Sequence, residues 1–194
     1  MQKVVNVFVC IIAIAFIFAC GSGPEVTPVN ITPEASGDIS WSSSYGAGTV
    51  KIDKSFKYVG MKDLTNAKAR RQYHIWKKSS GEIIYIVDLQ VKSSWSFPDD
   101  YDPGLGNDQN PNEKGIVAHK PMKYTIWDGI NPRSLAVLYS LEVKVPKCRL
   151  AIQTGKFSPS RKSGFFLVLV KETECGNNDI NPIVNDARQY ITIM

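Results

Sequence analysis

The residues best suited to chemistry crowd into one stretch, 98–115, which reads PDDYDPGLGNDQNPNEKG. Asp99, Asp100, Asp102, Asp108 and Glu113 stand there against Lys114 alone. The chain as a whole is basic, with 23 Lys+Arg, 18 Asp+Glu and a net charge of +5. Oxygen-bearing side chains recur at Asp100, Asp102, Asp108 and Asn110, and Gly104 and Gly106 let the backbone turn tightly. Hard oxygens are what Ca²⁺ takes, about six to eight at a time, and calcium tolerates irregular loops. The bidentate Glu and the glycine position of an EF-hand are missing. Two readings follow, a calcium site at Asp100, Asp102, Asp108 and Asn110 or a long solvated loop, and the spacing favours the loop.

Catalysis has fewer residues to draw on. The two histidines are His74, in an apolar run beside Trp76, and His119, just after the acidic stretch. His119 with Asp99 or Asp108 is the acid–base pairing the chain offers. Neither HExxH nor GxSxG occurs, and no glycine-rich phosphate cradle is present. The expectation is therefore a protein that binds rather than catalyses, with a hydrolase as the least favoured alternative.

Binding has more candidates. Basic residues group at Lys68, Arg70 and Arg71, at Lys77 and Lys78, at Lys147 and Arg149, and at Lys156, Arg161 and Lys162. Such groups suit anionic partners, although Lys at turns and strand edges also serves simply to deter aggregation. Among the four tryptophans, Trp76 and Trp127 are expected in the core, while Trp41 is expected to be exposed in a tether. Trp95, with Phe97, flanks the acidic stretch, where an indole face can stack on a sugar ring. Trp95, Lys156, Arg161 and Lys162 are the candidate binding residues.

The first twenty residues set the address. Lys3 precedes an uncharged apolar run over 7–19, VFVCIIAIAFIFA, too short to span a bilayer in the ordinary way. It ends in Ile17-Phe18-Ala19-Cys20, followed by Gly21-Ser22-Gly23. This segment resembles the lipobox of bacterial lipoprotein precursors. The resemblance implies a signal peptide over 1–19 and a Cys20 that is acylated, with palmitate among its chains, and becomes residue one. Gly21 after that cysteine implies the outer membrane by the same resemblance. A chain so processed loses Lys3 from the +5 total, keeps a net +4, and does not meet nucleic acid. Its basic surplus then points to an anionic envelope component, or to a host glycan or acidic protein, on the periplasmic or the surface face.

These residues need a scaffold. From 20 to 44 the chain is rich in Pro, Ser, Thr and Gly with apolar residues standing singly, and reads as a lipidated flexible tether. From 45 to 194 the apolar period is two, which predicts a single β domain. Ile83, Tyr85, Val87, Leu89 and Val91 share one face of a strand that forms a hairpin with 72–77. Leu135, Val137, Tyr139, Leu141, Val143 and Val145 also alternate and favour a strand over a helix from 134 to 141. A short helix is expected over 62–71. The run FFLVLV at 165–170 is apolar on both faces and reads as central. About seven or eight strands with Gly/Pro/Asn-rich joints predict an antiparallel β-sandwich or a partly open barrel. Cys148 and Cys175 lie at the outer ends of a hairpin whose loop is 155–164, so an exported chain should join them, stabilising by about 3.5 kcal/mol.

Overall fold

The computed structural model describes residues 31–92, 94–98, 129–177 and 179–194, together with the backbone of 113–119 and 122–127. Its strands form two antiparallel sheets. The smaller sheet holds β1 (Ile31–Pro33), β2 (Ile39–Ser42), β3 (Thr49–Ile52) and the C-terminal β11 (Ile191–Ile193), in the order β1-β2-β3-β11. The larger holds β4 (Phe56–Asp63), β5 (Ala69–Lys78), β6 (Ile83–Val91), β7 (Glu113–His119), β8 (Met122–Trp127), β9 (Arg149–Phe157) and β10 (Ser163–Glu172), in the order β4-β5-β6-β10-β9-β8-β7. Among the described residues two short helices accompany the sheets, α1 (Pro132–Ser140) and α2 (Asn181–Tyr190). The fold is a β-sandwich, with open edges rather than a closed barrel, and it has more strands than the seven or eight expected.

The alternation seen in the sequence places the core. On β6 the side chains of Ile84 and Ile86 point to the small sheet, with Trp76 from β5 and Phe165, Leu167 and Leu169 from β10. They meet Trp41, Val50 and Ile52 of the small sheet and Ile183, Val184 and Ala187 of α2. The opposite face of β6 carries Ile83 and Tyr85, which join Tyr73, Ile75, Val168 and Val170 beneath Val137 and Leu138 of α1. Strand β10 is thus buried on both faces, as its unbroken apolar run requires. It lies between β6 and β9, pairing Phe165 with Asp88 on one side and with Lys156 on the other.

Several expectations are corrected. The tether does not reach residue 44, because Ile31–Pro33 and Ile39–Ser42 are strands of the small sheet. Trp41 is not exposed: it pairs with Ile31 and Val50, is completely buried, and packs edge-on against Phe165 at 5.5 Å. The stretch expected as a strand over 135–145 is taken up in its first half by helix α1. Asn131 caps it by accepting the Arg133 amide at 2.9 Å, and Pro132 takes the first turn, where its missing N–H costs nothing. Its buried residues are Ser134, Val137 and Leu138, the i, i+3, i+4 spacing of a helix, while Tyr139 faces solvent.

The helix expected over 62–71 is instead the end of β4, a turn and the start of β5. The Asn66 side chain accepts both the Lys68 and Ala69 amides at 2.9 Å, and Asp63 accepts the Thr65 amide at 2.7 Å. Those side chains offer the backbone a turn in place of a helix. Helix α2 has no counterpart in the sequence reading; Pro182 sits in its first turn and its final residue leads directly into β11.

Candidate functional site

The sandwich has two ends. At one, β9 and β10 run out into Cys148 and Cys175, which are bonded, with their Cα atoms 5.1 Å apart. The Thr173 amide donates to the Cys148 carbonyl at 3.1 Å, continuing the ladder to the bridge. This is the expected disulfide. Charges of both signs occur here, Lys57, Lys77, Lys147 and Arg149 with Glu82, Glu172 and Glu174; Lys171 of β10 pairs with Asp186 of α2 at 2.6 Å, and Lys78 donates to the Tyr190 hydroxyl at 2.7 Å while lying over that ring.

The other end is built around the turn from β9 to β10. Phe157 closes β9 opposite Gly164 of β10, and a Cβ on Gly164 would overlap the Phe157 ring. Glycine is therefore required for the ring to lie flat on the sheet. The segment 94–98 then folds over it. Phe97 stacks on Phe157 at 4.3 Å and meets Phe166 edge-on at 6.4 Å, and Trp95 rests against Phe97 at 5.0 Å. Arg161 holds that segment in place. Its backbone adopts a left-handed conformation (φ 53°), its carbonyl accepts the Phe97 amide at 2.9 Å, and its guanidinium donates to the carbonyls of Phe97 and Pro98. The same guanidinium lies 4.9 Å from the centre of the Phe157 ring. Phe97 is buried by this arrangement, while Trp95 remains 51% exposed.

All four candidate binding residues lie at this end, on two faces of the sheet. Trp95 and Arg161 belong to one aromatic stack, and Lys162 follows Arg161, its carbonyl accepting the Val91 amide at 2.8 Å. Lys156, one residue before Phe157, points to the opposite face from that ring, beside the β2–β3 turn, and donates to the Met194 carbonyl at 3.0 Å. Three further basic positions join the end through the pairing of β5 with β6. Arg70 lies opposite Gln90, and the Lys92 amide donates to the Lys68 carbonyl at 3.0 Å. Lys68, Arg70, Lys92 and Lys162 are all exposed. The proposed calcium ligands Asp100, Asp102, Asp108 and Asn110 lie outside the described residues, as do the side chains of His119 and Trp127. Among the described residues no group of three or more His, Cys, Asp or Glu could hold a metal ion.

Two buried polar groups lie on the inner face of the large sheet near this end. Asp88, fully buried on β6, accepts the Ser43 hydroxyl and the Ser44 amide, both at 2.7 Å. Burial pushes its carboxyl above the usual range and the hydrogen bonds pull it back only in part. The group ties the β2–β3 turn to β6. Its signal in the sequence is an acid on the same face as Ile84 and Ile86. His74 is buried between Trp41 and Trp76, with the Tyr58 hydroxyl 3.4 Å from Nδ1. Burial holds this imidazole neutral, its pKa depressed to about 4, while desolvation pushes the Tyr58 phenol up. The geometry is that of a core histidine with a single polar neighbour.

No protein-family model matches the sequence, and no curated protein or solved structure is significantly similar to it. No helix among the described residues is long and apolar enough to cross a membrane. The molecule is defined by its own geometry: a disulfide-linked β-sandwich with one end of mixed charge and one end carrying exposed lysines, arginines and a tryptophan.

Proposed function

We propose that this chain is a bacterial envelope lipoprotein, anchored through acylated Cys20, whose sandwich serves outside the cytoplasm as a binding or structural interaction module. The observation that carries the reading is Lys3, the apolar run over 7–19 and Ile17-Phe18-Ala19-Cys20, in that order. Two features support it. The Cys148–Cys175 bridge suits an oxidising compartment. The first strand begins at Ile31, eleven residues after Cys20, so the domain stays close to the modified residue.

The energetics follow from the acyl chains. Each buried methylene contributes about 0.8 kcal/mol, one chain anchors only weakly, and two or more make release negligible. The outer membrane is the proposed location on the strength of Gly21. An anionic envelope or host partner is the proposed class of ligand, supported by the basic groups of the Phe97 end.

Mass spectrometry of the amino terminus from native material tests the reading. The expected species begins at an acylated Cys20, and Cys20→Ser should abolish incorporation of labelled palmitate. An unprocessed Met1 on a cytosolic chain would overturn it. Protease treatment of intact cells then separates a periplasmic from a surface-exposed domain.

A further inference from the structure

We infer that the Phe97 end of the sandwich, through Lys68, Arg70, Lys92, Lys162 and Trp95, rests on the anionic headgroup surface of the bilayer that holds Cys20. The inference rests on the lipid-anchor reading and adds the orientation of the domain and the surface it uses.

Chain length and the point of entry come first. Ile31 lies opposite Trp41, and Trp41 packs against Phe165, two residues from the Ser163 end of β10. The β2–β3 turn lies at the same end, since the Ser163 hydroxyl donates to the Tyr45 carbonyl at 2.9 Å. The chain arriving from Cys20 therefore enters the fold near the Phe97 end. The eleven residues from Cys20 to Ile31 reach at most ~37 Å when fully drawn out. Strand β10, ten residues long, extends ~33 Å from that end to the disulfide. Turning the disulfide end to the bilayer would demand a nearly taut connection, at a cost in chain entropy. Turning the Phe97 end down demands none.

Charge and side-chain type agree. Lys68, Arg70, Lys92 and Lys162 are exposed at this end, and the described acids there are Asp63 at its margin and the buried, hydrogen-bonded Asp88. The acid-rich stretch 99–113 continues from Pro98 and lies outside the described residues. At the disulfide end both signs are present, with Glu82, Glu172, Glu174 and Asp186 against Lys57, Lys77, Lys78, Lys147, Arg149 and Lys171. A basic side chain near an anionic leaflet contributes about 1 kcal/mol, and an indole suits the headgroup level, where one edge is apolar and the other wet.

Mature protein extracted in detergent, and reconstituted with vesicles of phosphatidylcholine alone or with phosphatidylglycerol, tests this. Two readouts separate the two ideas. Flotation with vesicles at high salt reports the acyl anchor, because screening removes the electrostatic term. Quenching of tryptophan fluorescence by lipids brominated near the headgroup reports docking, with Trp95→Phe defining the share due to Trp95; Trp41 and Trp76 are fully buried.

Docking requires a quenchable Trp95 signal that needs phosphatidylglycerol and fades with salt. It also requires that the docking equilibrium of the anchored domain, read from the phosphatidylglycerol content needed for half-maximal quenching, weakens about five-fold for each of Lys68→Gln, Arg70→Gln, Lys92→Gln and Lys162→Gln. Lys57→Gln and Lys77→Gln, at the far end, should change nothing. High-salt flotation without Trp95 quenching keeps the anchor and overturns docking. Low-salt flotation alone, sensitive to the four substitutions, keeps docking and overturns the anchor. Equal effects from near and far lysines, with unaltered unfolding temperatures, overturn the assigned face.

Discussion

At one end of this sandwich the chain is joined covalently and its surface charges are of both signs; at the other it is held by a ring stack and a guanidinium. Cys148–Cys175 and Lys171–Asp186 tie the first end together, and its exposed charges are of both signs, Lys57 and Lys147 beside Glu172 and Glu174. The Phe97 end achieves closure with Phe97 on Phe157 and Arg161 on two backbone carbonyls, which leaves Lys68, Arg70, Lys92 and Lys162 at the surface. The difference shows how a small fold can divide its work. Stability concentrated where the chain is cross-linked frees the opposite end to present charge.

The sharpest way to break this division is to remove the bridge. Cys148→Ser with Cys175→Ser should lower stability by about 3.5 kcal/mol, read from urea unfolding, because the unfolded chain regains the entropy of the closed loop. Hydrogen exchange at the Phe97 amide should change no more than the global value. If that amide opened first, the two ends would be coupled rather than independent.

Acid tests the core between the ends. The pKa of His74 is depressed from its unfolded value to about 4, so the unfolded chain binds more protons across the interval between. Stability should therefore be full above the unfolded value near 6.5 and fall as pH drops toward 4, by an amount on the order of 3 kcal/mol. Asp88 acts in the opposite sense, since a raised carboxyl pKa favours the fold at low pH. His74→Phe should flatten the fall between pH 7 and 5; an unchanged slope would assign the acid response to other groups.

Gly164→Ala probes the ring stack. The added methyl group must displace Phe157, at a cost of about 1–3 kcal/mol, and Phe157→Leu in the same chain should recover part of it. A double-mutant cycle with no coupling would mean that Phe157 does not set the requirement for glycine. Trp95→Ala should have the smallest effect, within about 1 kcal/mol in stability, because half of that side chain is already exposed. A larger loss would make Trp95 part of the closure rather than of the outward surface.

The pattern of agreement between sequence and structure has physical reasons. The β5–β6 and β9–β10 hairpins were legible because long strands with one or two buried faces must alternate or run apolar, and nothing local competes with that signal. The bridge was legible because antiparallel pairing across 155–164 brings the two cysteines together. The 135–145 stretch was not, since its apolar residues satisfy both periods. The Asn131 cap, Pro132 and the cover needed by Tyr85 and Val170 decided for a helix. Strands β1 and β2 were not legible either. With three and four residues, each has too few apolar positions to show a period, and Trp41 finds its burial only against Phe165 and His74 of the other sheet.

The candidate site divides along the same line. Trp95, Lys156, Arg161 and Lys162 could be named from residue type, whereas pairing brought Lys68, Arg70 and Lys92 to the same end and alternation set Lys156 on the opposite face from Phe157. By itself, the order of residues determined the signal-like leader, the paired cysteines, the period of the central strands and the surplus of positive charge, all properties of short windows. Which cations share an end, which tryptophan is buried and where the leading chain enters were decided by contacts between distant segments, because burial and proximity belong to surfaces that exist only once the sheets have met.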